Sequence, residues 1–171
     1  MRKLDSLVQA VDLGREAFEN RRLSRKSIEK SAAILQRYQR VLQEYGITSQ
    51  ADVRVVATTA VREASNRLAF ADRVFVATGL NVESIDEAEV NRITYMGVIP
   101  HLQEHPGLAD GKSLVVEIGG GSTEVLLLRS GNVLSSQSFR LGSVRLMMNL
   151  DGVRASASRR RAMMESRSEE H

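Results

Sequence analysis

The sequence predicts an α/β protein. Three observations carry that expectation. Apolar runs of strand length alternate with stretches whose apolar residues recur at helical spacing, in the order β, α, β, α, β, α. Three apolar segments separated by short turns then follow. Val53–Ala57, finally, is a compact apolar run of the kind that suits a strand covered on both faces.

Taken in order, Leu7–Val11 reads as a short strand and Asp12-Leu13-Gly14-Arg15 as a turn. Leu23-Ser24 opens a helix, with Ser24 as the N-cap and Leu23 placed to pack against Ile28. Ile28, Ala32, Leu35, Leu42 and Tyr45 recur at helical spacing, which marks a core-facing stripe, and Gly46 is the stop. After the Val53–Ala57 strand, Thr58 and Thr59 stand where strand hands over to helix. Asn66 caps a further helix that reaches Thr78 and ends at Gly79. Asn81–Ile85 is a third strand, and Asp86 caps the helix carrying Val90, Ile93, Gly97 and Leu102. The breaker-rich stretch from His105 to Gly111 is the expected boundary between lobes. Leu114–Ile118, Glu124–Arg129 and Val133–Phe139 form an antiparallel meander with Ser130-Gly131-Asn132 as its second turn, and a last helix begins near Ser143. From Asp151 onward the periodicity dissolves, so residues 151–171 read as a disordered tail. No internal repeat is present.

Composition narrows the function classes. The chain has 171 residues, 42% of them hydrophobic, which is enough apolar material for a core. No tryptophan and few other aromatics leave no stacking platform for single-stranded nucleic acid. The net charge of +3 is mild, and much of the excess sits in Arg154, Arg159, Arg160, Arg161 and Arg167, interrupted by acids as in a solvated tail. The absence of cysteine excludes disulfides, thiolate metal sites and cysteine nucleophiles. No apolar run approaches the roughly 20 residues needed to cross a bilayer, and no signal-peptide core follows Met1. A soluble cytoplasmic protein is expected, without a membrane or nucleic-acid partner. The three histidines show no metal-ligand spacing and read as solvent-exposed.

The run Val115-Val116-Glu117-Ile118-Gly119-Gly120-Gly121-Ser122-Thr123-Glu124 concentrates the chemistry. An apolar strand carries an acid near its end, turns through three glycines and a hydroxyl pair, and returns as another apolar strand. Glycines allow positive φ and close approach of backbone to a ligand. Successive N–H groups in such a turn make a concave nest for an anion, usually phosphate. An acid beside it can hold a metal or polarise a water. The plain alternative is a tight hairpin turn, although two central residues normally suffice for one.

Upstream lie Val55-Val56-Ala57-Thr58-Thr59-Ala60-Val61-Arg62-Glu63-Ala64-Ser65-Asn66-Arg67, then Ala77-Thr78-Gly79-Leu80-Asn81-Val82 and Tyr95-Met96-Gly97-Val98; Leu141-Gly142-Ser143-Val144-Arg145-Leu146 comes later. In this order, with the glycine hairpin, the chain resembles the exopolyphosphatase / guanosine pentaphosphate phosphohydrolase (Ppx/GppA) family, from about Leu4 to Leu150. The resemblance implies an actin-like (sugar kinase/Hsp70/actin) α/β fold. It would give an incomplete first lobe over 1–112 and the opening antiparallel strands of a second over 113–150. It also implies that the chain begins at the third strand of the first lobe, so that two strands and their phosphate loop are missing.

What the resemblance implies about function is hydrolysis of terminal phosphoanhydride bonds of inorganic polyphosphate or guanosine pentaphosphate with Mg²⁺. The alternative is an inactive remnant, or a phosphate- or nucleotide-binding module of the same fold. Oligomeric state is open, a homodimer included. Gly119, Gly120, Gly121, Ser122 and Thr123 are the phosphate-binding residues. Arg62 is assigned to phosphate neutralisation, for which its planar fork is suited; its bland alternative is a surface ion pair with Glu63 or Asp72. Glu117 stands where the family usually has Asp, as metal or water ligand, with an extra methylene. Glu124 supports the loop or the metal, or else is an exposed acid at a strand start. The family's base is a Glu in the cluster Asp86-Glu87-Ala88-Glu89-Val90-Asn91-Arg92. The expected position, two before Arg92, holds Val90, so Glu89 is the candidate and Glu87 its rival. Both acids also suit a helix N-terminus simply as charge. Thr59, Asn66 and Arg145 match supporting positions.

Overall fold

A computed structural model describes residues 5–105, 107, 111–151, 161 and 164–165 of the chain. Its contacts sort into two compact units, Met1–Ser84 and Ile85–His171. The division falls upstream of the breaker-rich loop expected to separate the lobes. The reason lies in the helix between: Tyr95, Val98, Ile99 and Leu102 pack on Leu126 and Leu128 of the meander, so that helix belongs with the strands after it. Most of the expected tail, with Arg154, Arg159, Arg160 and Arg167, lies outside the described residues; Arg161 pairs with Glu165 at 3.2 Å.

The first unit contains α1 (Leu13–Asn20), α2 (Arg25–Glu44), a 3-10 turn (Gln50–Asp52), β1 (Val55–Ala57), α3 (Thr59–Glu63), α4 (Arg67–Thr78) and β2 (Val82–Ser84). β1 and β2 pair in parallel, with Val55 opposite Val82 and Ala57 opposite Ser84. Ser24 caps α2: its backbone is extended and its hydroxyl accepts the Ser27 N–H at 3.2 Å. α4 stops because Gly79 takes the left-handed backbone (φ +71°) that a Cβ would penalise, and its N–H closes on Phe75 O at 2.7 Å. Leu23, Ile28 and Ala32 meet Ala57, Val61, Ala64, Phe70 and Val74 in one core. Burying side chains of this size contributes about 1.5–3 kcal/mol each for the larger ones.

Two expectations fail at the start of the chain. Leu7–Val11 is not a strand: among the described residues no strand lies beside it to complete a ladder, and a strand is a property of pairs. Its carbonyls are served by side chains of α2 instead, Lys30 Nζ on Ala10 O at 2.9 Å and Tyr38 Oη on Leu7 O at 3.4 Å. Leu13 to Arg15, expected as a turn, belong to α1, because Ala17, with Leu13 and Phe18, supplies an apolar stripe to the core. The strands at 53–57 and 81–85 are present but three residues long.

The second unit contains α5 (Glu87–Gln103), β3 (Lys112–Ile118), β4 (Thr123–Arg129), β5 (Asn132–Phe139) and α6 (Ser143–Asp151). Asp86 caps α5 as expected, its carboxylate accepting the Glu89 N–H at 2.8 Å. β3, β4 and β5 form an antiparallel meander in that order, with a bulge between Leu127 and Leu128 in the β4–β5 pairing. Strand alternation sends Leu126 and Leu128 to the α5 side, where both are buried. Leu114, Val116, Ile118 and Leu127 stand on the opposite side and are exposed. No described helix is long and apolar enough to cross a membrane.

Candidate functional site

Strand register brings the acids together. Glu117 of β3 lies directly opposite Glu124 of β4, and Glu124 lies opposite Ser138 of β5. Cross-strand partners have Cβ atoms about 4.5–5.5 Å apart, so two carboxylates and a hydroxyl form one row on the α5 side of the sheet. That row crosses the sheet one residue pair, Ile118–Thr123, short of the glycine turn. Glu124 is 3% exposed, which excludes its reading as an exposed strand-start acid. Its Oε1 accepts the Ser138 hydroxyl at 2.9 Å, while its Oε2 is buried with no hydrogen-bond partner. Glu117 is exposed and accepts a short hydrogen bond from the Thr94 hydroxyl of α5.

The turn itself is braced from one side. Gly119 N–H donates to Ser122 O at 2.9 Å, closing the hairpin. The carbonyl of Gly119 accepts from Ser143 N–H at 2.9 Å and from the Ser143 hydroxyl at 3.2 Å. That of Gly120 accepts from Val144 N–H at 3.0 Å and Arg145 N–H at 3.3 Å. Arg145 Nε donates to the carbonyl of Gly121 at 2.7 Å. The Thr123 hydroxyl bonds the carbonyl of Leu141. Neither Gly119 nor Gly120 takes the left-handed backbone. The use of glycine at these two positions is therefore closeness rather than positive φ: a Cβ on Gly120 would press on Val144 Cγ2 at 3.2 Å.

Helix geometry sorts the acidic cluster. Glu89 is engaged by Arg92 through two bonds, Nε–Oε2 and Nη2–Oε1, both 2.7 Å. That hydrogen bond, with the attraction of the charge, raises the Arg92 pKa. At 100° per residue, Glu89 projects about 140° away from Thr94, whereas Glu87 and Val90 project within about 40° of it. The face of α5 that reaches Glu117 through Thr94 thus carries Glu87, two turns back, and not Glu89.

The remaining candidates lie in the first unit. Arg62 is half-buried in the last turn of α3, and Thr59 is buried at that helix's start. Asn66 precedes α4 but makes no side-chain cap. Its amide instead clasps Leu23, with Nδ2 donating to Leu23 O and Oδ1 accepting Leu23 N–H, each at 2.9 Å. His101 is exposed and 3.8 Å from Glu104 Oε2. The structure therefore gathers Glu117, Glu124, Gly119–Thr123 and Arg145, while Glu89 is turned aside.

Thr94, Ser138 and Ser143 were not legible as site residues. Counting back from the Ser130–Gly131 turn along a regular ladder puts Gln137 opposite Glu124; the bulge moves Ser138 there. Nothing in the sequence signals that shift. Among the described residues no group of three or more His, Cys, Asp or Glu side chains is arranged for a metal.

A profile of the Ppx/GppA phosphatase family matches residues 1–164. The bifunctional 3-dehydroquinate synthase/phosphatase of Fusobacterium nucleatum is 30% identical over 141 residues, covering 81% of this chain and 20% of that protein. The guanosine-5'-triphosphate,3'-diphosphate pyrophosphatase of Aliivibrio fischeri is 29% identical over 126 residues, 74% of this chain and 24% of that one. Among solved structures, the Aquifex aeolicus Ppx/GppA family member superposes with a TM-score of 0.63 at 32% identity, over 80% of this chain and 42% of that one. An exopolyphosphatase from Cytophaga hutchinsonii gives 0.71 at 28%, over 82% and 43%. The chain thus spans about a quarter or less of these curated relatives and about two-fifths of the solved ones. The expected α/β, actin-like fold is the one it shares with them, and the chain belongs to the Ppx/GppA phosphatase family.

Proposed function

We propose that the glycine turn and its two carboxylates serve hydrolysis of the terminal phosphoanhydride of inorganic polyphosphate or guanosine pentaphosphate in a cytosolic setting. The observation that supports this most is the Glu117–Glu124 row beneath the turn, with one buried carboxylate oxygen left without a protein partner. Buried polar atoms are rarely left so unless something else engages them. A water oxygen would attack the terminal phosphorus, and the bond from that phosphorus to the bridging oxygen would break. The bridging oxygen leaves with the shortened chain. Backbone N–H groups of the turn restrain the phosphate, with the Ser122 side chain beside it; the Gly119 N–H and the Thr123 hydroxyl, expected to join them, are committed to Ser122 O and Leu141 O. Arg62 is assigned to neutralising phosphate charge.

The donor set fits Mg²⁺, which is commonly held by one or two carboxylates with the rest of its shell from phosphate oxygens and water. Glu117 and Glu124 would hold it, and it would supply charge stabilisation at the phosphoryl oxygens.

A second reading has its own observation. Val90 occupies the expected base position, and Glu89 is committed to Arg92. A chain without a base would bind phosphate and not turn it over. Phosphate release from both substrates with Mg²⁺ present separates the two readings. Release that is lost in Glu117→Ala and Arg62→Ala, and in Glu87→Gln but not Glu89→Gln, supports hydrolysis with Glu87 as base. Saturable phosphate binding without release selects the binding module. Neither binding nor release would overturn both.

A further inference from the structure

The peptide units of the glycine turn have a direction, and the start of α6 sets it. In a trans peptide the carbonyl of one residue and the N–H of the next point to opposite sides, and no cis bond occurs among the described residues. The carbonyls of Gly119, Gly120 and Gly121 all accept from residues 143–145. Their peptide units therefore send the N–H groups of Gly120, Gly121 and Ser122 to the other side.

We propose that Gly142, Ser143 and Arg145 are positioning residues that hold these three N–H groups convergent on an anion, and that the first N–H groups of α6 do not themselves touch it. This rests on the phosphate reading of the turn given above. The donors at the start of α6 are already engaged by the turn's carbonyls. A peptide unit that accepts at its carbonyl becomes a better donor at its N–H, so the bracing also strengthens the anion site. Gly142 is there for space. It is buried, and a Cβ on it would fall on Gly120 and lie 2.5 Å from the carbonyl carbon of Gly121, backbone that cannot swing aside. Any side chain at 142 would push the turn off α6 and release its orientation.

Arg145 offers a clean separation of positioning from charge. Its bond to Gly121 O is made by Nε, and glutamine carries its Nε2 on Cδ just as arginine carries Nε. Arg145→Gln thus keeps a donor at that place without the charge. Arg145→Lys keeps the charge on a longer stem.

The test is an amide-resolved NMR titration of the 171-residue protein with inorganic phosphate, read beside amide exchange. The amide protons of Gly120, Gly121 and Ser122 are expected to shift with phosphate. Those of Ser143, Val144 and Arg145 should stay protected and nearly still. Gly142→Ala and Arg145→Ala should weaken phosphate binding by about tenfold or more, the effect of one charge-assisted donor misplaced, while Arg145→Gln stays within about threefold of wild type. Unchanged Leu126 and Leu128 signals establish that the variants are folded. Phosphate-dependent shifts at Ser143–Arg145 in place of the turn, or a Gln variant as weak as Ala with Lys at wild-type affinity, would overturn the proposal. If phosphate moves no amide at all, the phosphate reading fails. The bracing is still decided by exchange: protection of Ser143–Arg145 that survives Gly142→Ala would refute it.

Discussion

Asn66 joins two segments of chain with one planar group. It donates to and accepts from the same residue, Leu23, in the two-bond pattern that a β-bridge makes with backbone. The pattern needs a donor and an acceptor side by side, which among the side chains of this length only the amide provides. Asn66→Ala leaves the Leu23 N–H and carbonyl unmatched in a half-buried setting, at a cost of about 1–3 kcal/mol. Asn66→Asp should cost at least as much at neutral pH, because a carboxylate oxygen then faces the Leu23 carbonyl. Urea unfolding of the three proteins checks this, and an Asp variant as stable as wild type would show that the clasp contributes nothing.

At the scale of elements, the junction between α1 and α2 turns on Glu16. Its carboxylate accepts Ser24 N–H at 2.8 Å, the Ser24 hydroxyl at 2.8 Å and the Ser27 hydroxyl at 2.7 Å. Burial pushes its pKa up, but the bonds from Ser24 N–H and the two hydroxyls outweigh it, so the net shift is below the ordinary 4.5. A carboxyl whose folded pKa is depressed stabilises fully above its unfolded value and loses that contribution as pH falls through the folded one. Stability should therefore decline below about pH 4.5 by about 1 kcal/mol from this group, a figure reduced for its solvent exposure. Glu16→Gln should flatten that part of the profile in pH-dependent thermal melts; an unchanged acid limb would remove Glu16 from the account. The cap itself was legible, since Ser24 acts on Ser27 three residues away. Glu16 was not, because its bonds to Ser24 and Ser27 depend on how α1 turns back onto α2. The same distinction governs Leu7–Val11, whose strand-like composition is plain but whose pairing partner is not a local property. It governs the glycine turn too: its sequence is unmistakable, while the residues that orient it follow some twenty positions later.

For the whole molecule, surfaces that ordinarily lie inside a protein are open. Leu114, Val116 and Ile118 are 64%, 50% and 67% exposed along one side of β3. Within the first unit, an apolar groove of about 210 Å³ runs between Val11–Leu13 and β1, over Ile34, Leu35 and Phe70. A two-stranded parallel sheet with an open edge invites pairing with other chains. Concentration-dependent self-association is expected, visible as a rise in weight-average mass by sedimentation, and Ile118→Lys together with Val116→Lys should suppress it. A monodisperse monomer at all concentrations would mean these surfaces are covered in solution by other means.

The bulge in β5 has a consequence for length. Leu127 pairs with Ser135 and Leu128 with Val133, so Leu134 is supernumerary. Deleting Leu134 would convert the irregular ladder into a regular one and leave the residue facing Glu124 unchanged. Deleting Val125 from β4 would instead force that strand to slip or to unpair against β3, whose ladder with it has no surplus residue, exchanging inward for outward side chains on one part of it. The hairpin between Arg129 and Ser135 can therefore shorten by one residue without disturbing the acidic row. Thermal melts and phosphate titrations of the two deletions should show the first near wild type and the second impaired. In this part of the chain, tolerance to a change of length is set by which strand carries the surplus residue.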